Sequence, residues 1–321
     1  MTRGQDALNI TGFCYQCVRT TSEMKQCPRV CCVAIIGAFL VLVVRLTSAQ
    51  EMPCAFDERS LAFAGSALTQ ATCLLRPVLQ GGRLGPQSKK LPAPLSQIVG
   101  THVTIERTAL RRYLLKHQIM ETNIGGSLDE PLSTATLPDG SVAPARYFVI
   151  HDVSTPNYLE KSFPANINDA DWDWNNLSKH WANTRVAHIF INRLGESVTA
   201  VQFNSSLPQK RFGTKFARDR LQESAKGLQL HVELVQPRRS DPLGKTGNDA
   251  IAPFPGFTDA QMDRLALIYV AASVRRGEWL IPAFHAALDA GIADAHDDPQ
   301  NFDLNRWAVR LDLLLRQLKK K

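Results

Sequence analysis

Leu228-Gln229-Leu230-His231-Val232-Glu233-Leu234 is apolar at every second position. Successive side chains of a β-strand point to opposite faces. Leu228, Leu230, Val232 and Leu234 therefore share one face, and His231 and Glu233 share the other. A carboxylate between apolar neighbours is costly to bury unless it is paired or used. The alternative is a carboxylate at the solvated end of the strand. A similar apolar run precedes it, Tyr147-Phe148-Val149-Ile150, ending at His151. Another spans Val186 to Asn192 and is closed by Gly195. A helix opens at Thr258, with Gln261 three residues on as a capping box. Met262, Leu265, Tyr269 and Ala272 fall on one of its faces, and Gly277 stands just past its end. Strands apolar on both faces, alternating with helices, indicate an α/β domain whose sheet is covered by helices.

Upstream of this domain the pattern changes. Residues 50–80 have helical spacing at Leu61, Ala64 and Leu68. Residues 81–97, rich in Gly, Pro and Lys, read as a loop. Residues 98–122 suggest a short strand, IVGTHVTI, and then a helix, ALRRYLLKHQIM. Residues 123–145 are loop-like again, which places a boundary near 140: a mostly helical extension over 50–139 and the α/β domain over 140–321. No internal repeat is visible.

The chain of 321 residues is 44% hydrophobic and 21% charged, which excludes a mostly disordered protein. Its net charge is +7; residues 1–49 hold five basic and two acidic side chains, leaving a mild +4 for the remainder. That excess favours an anionic neighbour, but no basic run with interleaved aromatics supports nucleic acid as a partner.

Val30 to Val44, VCCVAIIGAFLVLVV, carries no charge. Lys25 and Arg29 precede it and Thr47-Ser48-Ala49 follows, the layout of a secretory signal over residues 1–49. The run is short for a membrane span, so a permanent N-terminal anchor is the second choice. Membrane contact is expected only through this segment if it stays uncleaved, and the mature chain is expected to be periplasmic or secreted. Met24 is an alternative start. Cys14, Cys17, Cys27 and Cys31 could be read as a zinc knuckle, but Cys31 falls inside the apolar run. Cleavage after Ala49 leaves two cysteines, Cys54 and Cys73, which would pair in an oxidising compartment or otherwise be buried thiols.

His151 stands at a strand end, where α/β folds place ligand groups. Its alternative is a satisfied, partly buried imidazole, and His188, within the next apolar run, reads as structural. From Phe284 to Pro299 the chain holds His285, His296 and four aspartates, a density that suits a divalent metal, against the alternative of a solvated acidic loop. Asp298-Pro299 favours an extended or turn conformation that presents the carboxylate. A catalytic zinc needs three protein ligands and an open position. His151, His285 and Asp298 supply them, Glu233 is a candidate proton acceptor, and His296 is the nearest donor for an oxyanion. Trp172, Trp174 and Trp181, with Asn175 and Asn176, could line a groove or pack a loop.

Five stretches occur in a distinctive order: FVIHDVST (148–155), AHIFINRLGE (187–196), LHVELVQ (230–236), FTDAQMDRLALI (257–268) and HAALDAGIADAHDDPQNF (285–302). Together they resemble the zinc-dependent N-acetylmuramoyl-L-alanine amidase family, whose fold is shared by phage lysozyme-type amidases and animal peptidoglycan recognition proteins. The resemblance covers about residues 140–307. It implies a central mixed β-sheet flanked by helices and one Zn2+ per chain on His151, His285 and Asp298. It further implies Glu233 beside the metal's water and hydrolysis of the amide joining N-acetylmuramic acid to L-alanine. Peptidoglycan or muropeptides would be the partner. Three departures bear on substrate choice. His296 stands where the family has lysine. The stretch from His285 to Asp298 is longer than in close relatives. A Trp-His pair is replaced by Arg211-Phe212-Gly213-Thr214. Two other readings remain open: a peptidoglycan-binding module without catalysis, and a zinc hydrolase of another amide or peptide.

Overall fold

The structure, a computed structural model, describes residues 54–206, 214–241 and 250–320. The segment expected to be a secretory signal, the first five cysteines and Arg211-Phe212-Gly213 lie outside the described residues.

The described chain opens with a small hairpin of β1 (Phe56–Asp57) and β2 (Ala62–Phe63). Helices α1 (Ala67–Leu74), α2 (Ala93–Ile98) and α3 (Arg107–Lys116) follow. A second hairpin, β3 (Thr134–Thr136) with β4 (Val142–Pro144), turns at Gly140. Then come β5 (Tyr147–Asp152), α4 (Leu177–His180), β6 (Ile189–Ile191), β7 (Ser197–Thr199) and α5 (Lys215–Arg220). Strands β8 (Gln229–Leu234), β9 (Arg239–Ser240) and β10 (Ala250–Ile251) lead to α6 (Asp259–Arg276). The chain closes with β11 (Ile281–Phe284), α7 (His285–Leu288) and α8 (Leu304–Lys319).

The central sheet is five-stranded and mixed, in the order β11-β5-β8-β6-β7. The first four strands are parallel, and β7 joins antiparallel at the edge. Every residue of β5, β8 and β11 is buried, as expected of parallel strands covered by helices on both sides. Helix α6 begins as its sequence indicates. Thr258 accepts from the Gln261 backbone, and the Gln261 side chain accepts the Thr258 N–H. It ends at Gly277, whose φ of +80° is the left-handed conformation of a helix terminus. Tyr269 from α6 and Trp307 from α8 meet with ring centroids 5.5 Å apart.

Four local expectations need correction. The loop expected over 123–145 contains the β3–β4 hairpin. Over 50–80, only Ala67–Leu74 is α-helical among the described residues: Asp57 caps a turn by accepting from Arg59 N and Ser60 Oγ, and the chain before Ser66 forms the first hairpin. Within the expected loop 81–97, Pro94 in the first turn opens α2. Residues 98–105 are not a strand. Ile98 ends α2, His102 makes an isolated bridge with Glu278, and Val99, Val103 and Ile105 bury themselves one at a time.

The expected disulfide is present between Cys54 and Cys73, with Cα atoms 6.0 Å apart. Residues 54–137 share one hydrophobic cluster with the sheet. The Tyr147 hydroxyl accepts from Phe63 N at 3.0 Å and donates to Gln70 Oε1 at 2.9 Å. No helix among the described residues is long and apolar enough to cross a membrane.

Candidate metal centre

Strand register assembles the site. In the parallel pair β5–β8, His151 lies beside Glu233. In β11–β5, Phe284 lies beside Ile150, so His285, the next residue, emerges at the same edge. This edge is the carboxyl end of the parallel strands, where α/β sheets gather ligand groups. Asp298 arrives from the segment after α7. Its carbonyl accepts the Ala286 N–H at 2.9 Å, and its carboxylate accepts the Asp152 N–H at 3.1 Å.

One donor atom each from His151, His285 and Asp298 lies within 4.8 Å of the others, and all three residues are buried. His285 Nδ1 is 2.9 Å from His151 Nδ1 and 2.9 Å from Asp298 Oδ1. His151 Nδ1 is 3.7 Å from Asp298 Oδ2. Tetrahedral zinc with bonds near 2.0–2.1 Å needs ligand atoms about 3.3 Å apart, and the observed separations bracket that value. Glu233 Oε1 is 4.0 Å from His151 Nδ1, while Glu233 Oε2 is buried with no hydrogen-bond partner. At 8% exposure Glu233 is not a solvated strand end. An orphaned buried carboxyl oxygen beside three convergent ligand atoms fits a cation site.

Electrostatics agree with that arrangement. Burial, followed by the charge on His285, holds the His151 imidazole well below its ordinary value. Burial acts against the charged form of His285 too. The charge of Asp298 and hydrogen bonds to Asp289 and Asp298 nevertheless raise it to about 10. A proton on His285 Nδ1 thus faces the His151 lone pair and Asp298, where a divalent cation would compete for the same ligands. Burial, reinforced by the charge of Asp298, pushes the Glu233 carboxyl well above the usual range. His296 lies over the site with its ring 4.5 Å from His285 and Nδ1 3.8 Å from Asp298 Oδ1. Its side chain is 57% exposed. Burial and the charge of His285 lower its pKa from the ordinary value.

Several supporting residues were not singled out in the sequence. Asp289 accepts from His285 Nε2 at 3.0 Å and from the backbone N–H groups of Lys215 and Phe216, tying the ligand to the start of α5. Its position four residues after His285 is the detectable signal. Asp152 pairs with the fully buried Arg238 at 2.7 Å and accepts from Ser154 and Gln300. No local pattern announces that pair. Arg238, Lys215, His296 and Asp297 line a cleft of about 420 Å³ beside the centre.

His188 has the structural place expected of it. Its Nδ1 accepts the His231 backbone N–H and its Nε2 donates to Ser205 O. Trp172 and Trp181 are buried in a second cluster with Ile167, Phe190 and Val235, and Trp174 stacks on His180. The Asn175 amide donates to Ile167 O and Asp169 O and accepts from Arg193 N, and Asn176 caps α4. This segment is a packed loop.

No protein-family model and no curated protein matches the sequence. Among solved structures, a crystal structure of a selenomethionine derivative of AmpD is 20% identical. That alignment covers 60% of this chain and 99% of the other, with a TM-score of 0.33. The Ph2119 endolysin of Thermus scotoductus MAT2119 bacteriophage Ph2119 is 14% identical over 53% of this chain and 86% of its own, with a TM-score of 0.29. Likenesses this loose identify no chemistry.

Proposed function

We propose that this chain is an exported zinc amidase that hydrolyses the amide between N-acetylmuramic acid and L-alanine in peptidoglycan. The observation that carries the hydrolase reading is the convergence of His151, His285 and Asp298 beside Glu233, whose buried Oε2 has no hydrogen-bond partner. The choice of substrate rests on the five ordered sequence stretches and on the mild positive charge of an exported chain facing an anionic polymer. The Cys54–Cys73 disulfide suits an oxidising compartment.

In this reading His151 Nδ1, His285 Nδ1 and Asp298 hold one zinc ion per chain. Zinc bound there supplies Lewis-acid polarisation of a carbonyl and lowers the pKa of water toward neutrality. A neighbouring cation favours the carboxylate form of Glu233. Glu233 takes a proton from the attacking water as oxygen bonds to the carbonyl carbon. It then returns that proton to the departing nitrogen as the C–N bond breaks, leaving a lactyl carboxylic acid and a free amine. His296 donates its N–H to the developing oxyanion.

Purified residues 50–321 should release stem peptides from peptidoglycan, and chelation should abolish the release. Glu233→Gln should retain zinc while turnover falls about 10²- to 10⁴-fold. Undiminished turnover in that variant removes Glu233 from the mechanism. Mass spectrometry of products from muropeptides and from free peptides distinguishes the muramoyl amide from other amides, and a chain that binds peptidoglycan without zinc would be a binding module.

A further inference from the structure

We infer that His231 is a positioning residue: it accepts the ring proton of His151 and so fixes the tautomer whose Nδ1 lone pair faces the metal position. The inference rests on the zinc reading above and concerns a residue outside its ligands and its proton acceptor.

A neutral imidazole has one N–H and one lone pair. His151 uses both ring nitrogens. Nδ1 faces His285 and Asp298, while Nε2 lies 2.9 Å from His231 Nδ1. Both rings are buried, at about 1% exposure, so bulk water is no substitute partner. Coordination through Nδ1 requires the proton on Nε2, and that proton needs an acceptor. Carboxylates and backbone carbonyls usually serve behind a ligand histidine. Here the acceptor is a second imidazole. The reverse arrangement, His231 Nδ1–H donating to His151 Nε2, would put the His151 proton on Nδ1, aimed at the other ligands.

The backbone of His231 is itself held, and its ring lies beside another. Its backbone N–H donates to His188 Nδ1 at 3.0 Å, and its carbonyl accepts the His188 N–H at 3.0 Å. The His188 and His231 rings lie nearly parallel, 6° apart in tilt with centroids at 5.9 Å. His188 is anchored in turn by Ser205 O. His231 also precedes Glu233 by two residues, so both project from the same face of β8. One strand therefore supplies the carboxyl beside His151 Nδ1 and the acceptor behind His151 Nε2.

The test compares His231→Phe, which keeps a ring but has no acceptor, with His231→Asn, whose side-chain oxygen stands near the place of Nδ1. Zinc affinity is measured by competition with a chromogenic chelator, and folding is checked by thermal denaturation of the chelated proteins. His231→Phe should weaken zinc binding about 10- to 100-fold, and His231→Asn should restore most of it. Nitrogen-15 NMR of the imidazoles in chelated protein should show the His151 proton on Nε2 in wild type and a loss of that preference in His231→Phe. Wild-type affinity in a folded His231→Phe, or a folded His231→Asn as weak as the Phe variant, overturns the inference. A wild-type chain that takes up no zinc sinks the zinc reading instead, and the NMR comparison then decides the His231 contact alone. If the Phe variant does not fold, wild type still decides, because a His151 proton found on Nδ1 contradicts the assignment.

Discussion

At the residue scale, the centre is a set of ionisable groups whose proton count must change when a cation enters. His285 keeps its proton up to about pH 10, and Glu233 is raised well above the carboxylate range. Metal binding near neutrality should therefore release about one to two protons. Calorimetry in buffers of different ionisation enthalpy reads that release, and a buffer-independent heat would contradict it. The raised Glu233 pKa has a sign for stability as well. Without metal the folded chain holds a proton that the unfolded chain, near 4.5, gives up. That contribution is complete below the unfolded value and is lost as pH rises through the folded one. Chelated Glu233→Gln, which cannot ionise, should gain in Tm over chelated wild type as pH rises above the unfolded value of 4.5, and a pH-independent difference would refute this. His151, Glu233, His285, His296 and Asp298 were each visible in the sequence, because strand alternation and a local density of acids and imidazoles are short-range signals. The pairings His151–His231 and Asp152–Arg238 were not, because each depends on which parallel strands become neighbours and in what register.

At the element scale, the best-marked segment was α6, whose cap, apolar face and terminal glycine all lie within one short window. Thr258 does two things there: its hydroxyl accepts from Gln261 N and donates to Arg193 O, the residue that follows β6 by two. Thr258→Ala should cost about 1 kcal/mol, or about 2–4 °C in Tm, with zinc content unchanged. A Tm equal to wild type in calorimetry would show that the cap contributes nothing. The segment 98–105 shows the opposite case. Its apolar residues resemble a strand, but Gly100 donates to Trp279 O and Val103 to Gly277 O, so the chain lies along the end of α6 as irregular backbone. Apolar content alone does not distinguish a sheet ladder from separate burial of single side chains.

At the scale of the whole molecule, the composition change near residue 140 suggests a division, yet the packing crosses it. Strands β3 and β4 pair across that point. Leu74, Leu75, Leu95 and Leu110, all upstream, are fully buried in the cluster that contains Tyr147, Phe148 and Ile150 of β5. Arg275 of α6 donates to the carbonyls of Gly125, Glu130 and Pro131, holding the intervening loop against the helix. Burying a leucine contributes about 1.5–3 kcal/mol. Four such side chains alone approach the 5–15 kcal/mol that is the whole net stability of a typical domain. Residues 140–321 expressed alone should therefore lack a cooperative thermal transition and show poorly dispersed NMR signals, whereas residues 50–321 should melt sharply. A cooperative unfolding transition in the shorter fragment would establish the extension as a separable piece and would free it for a role apart from the fold.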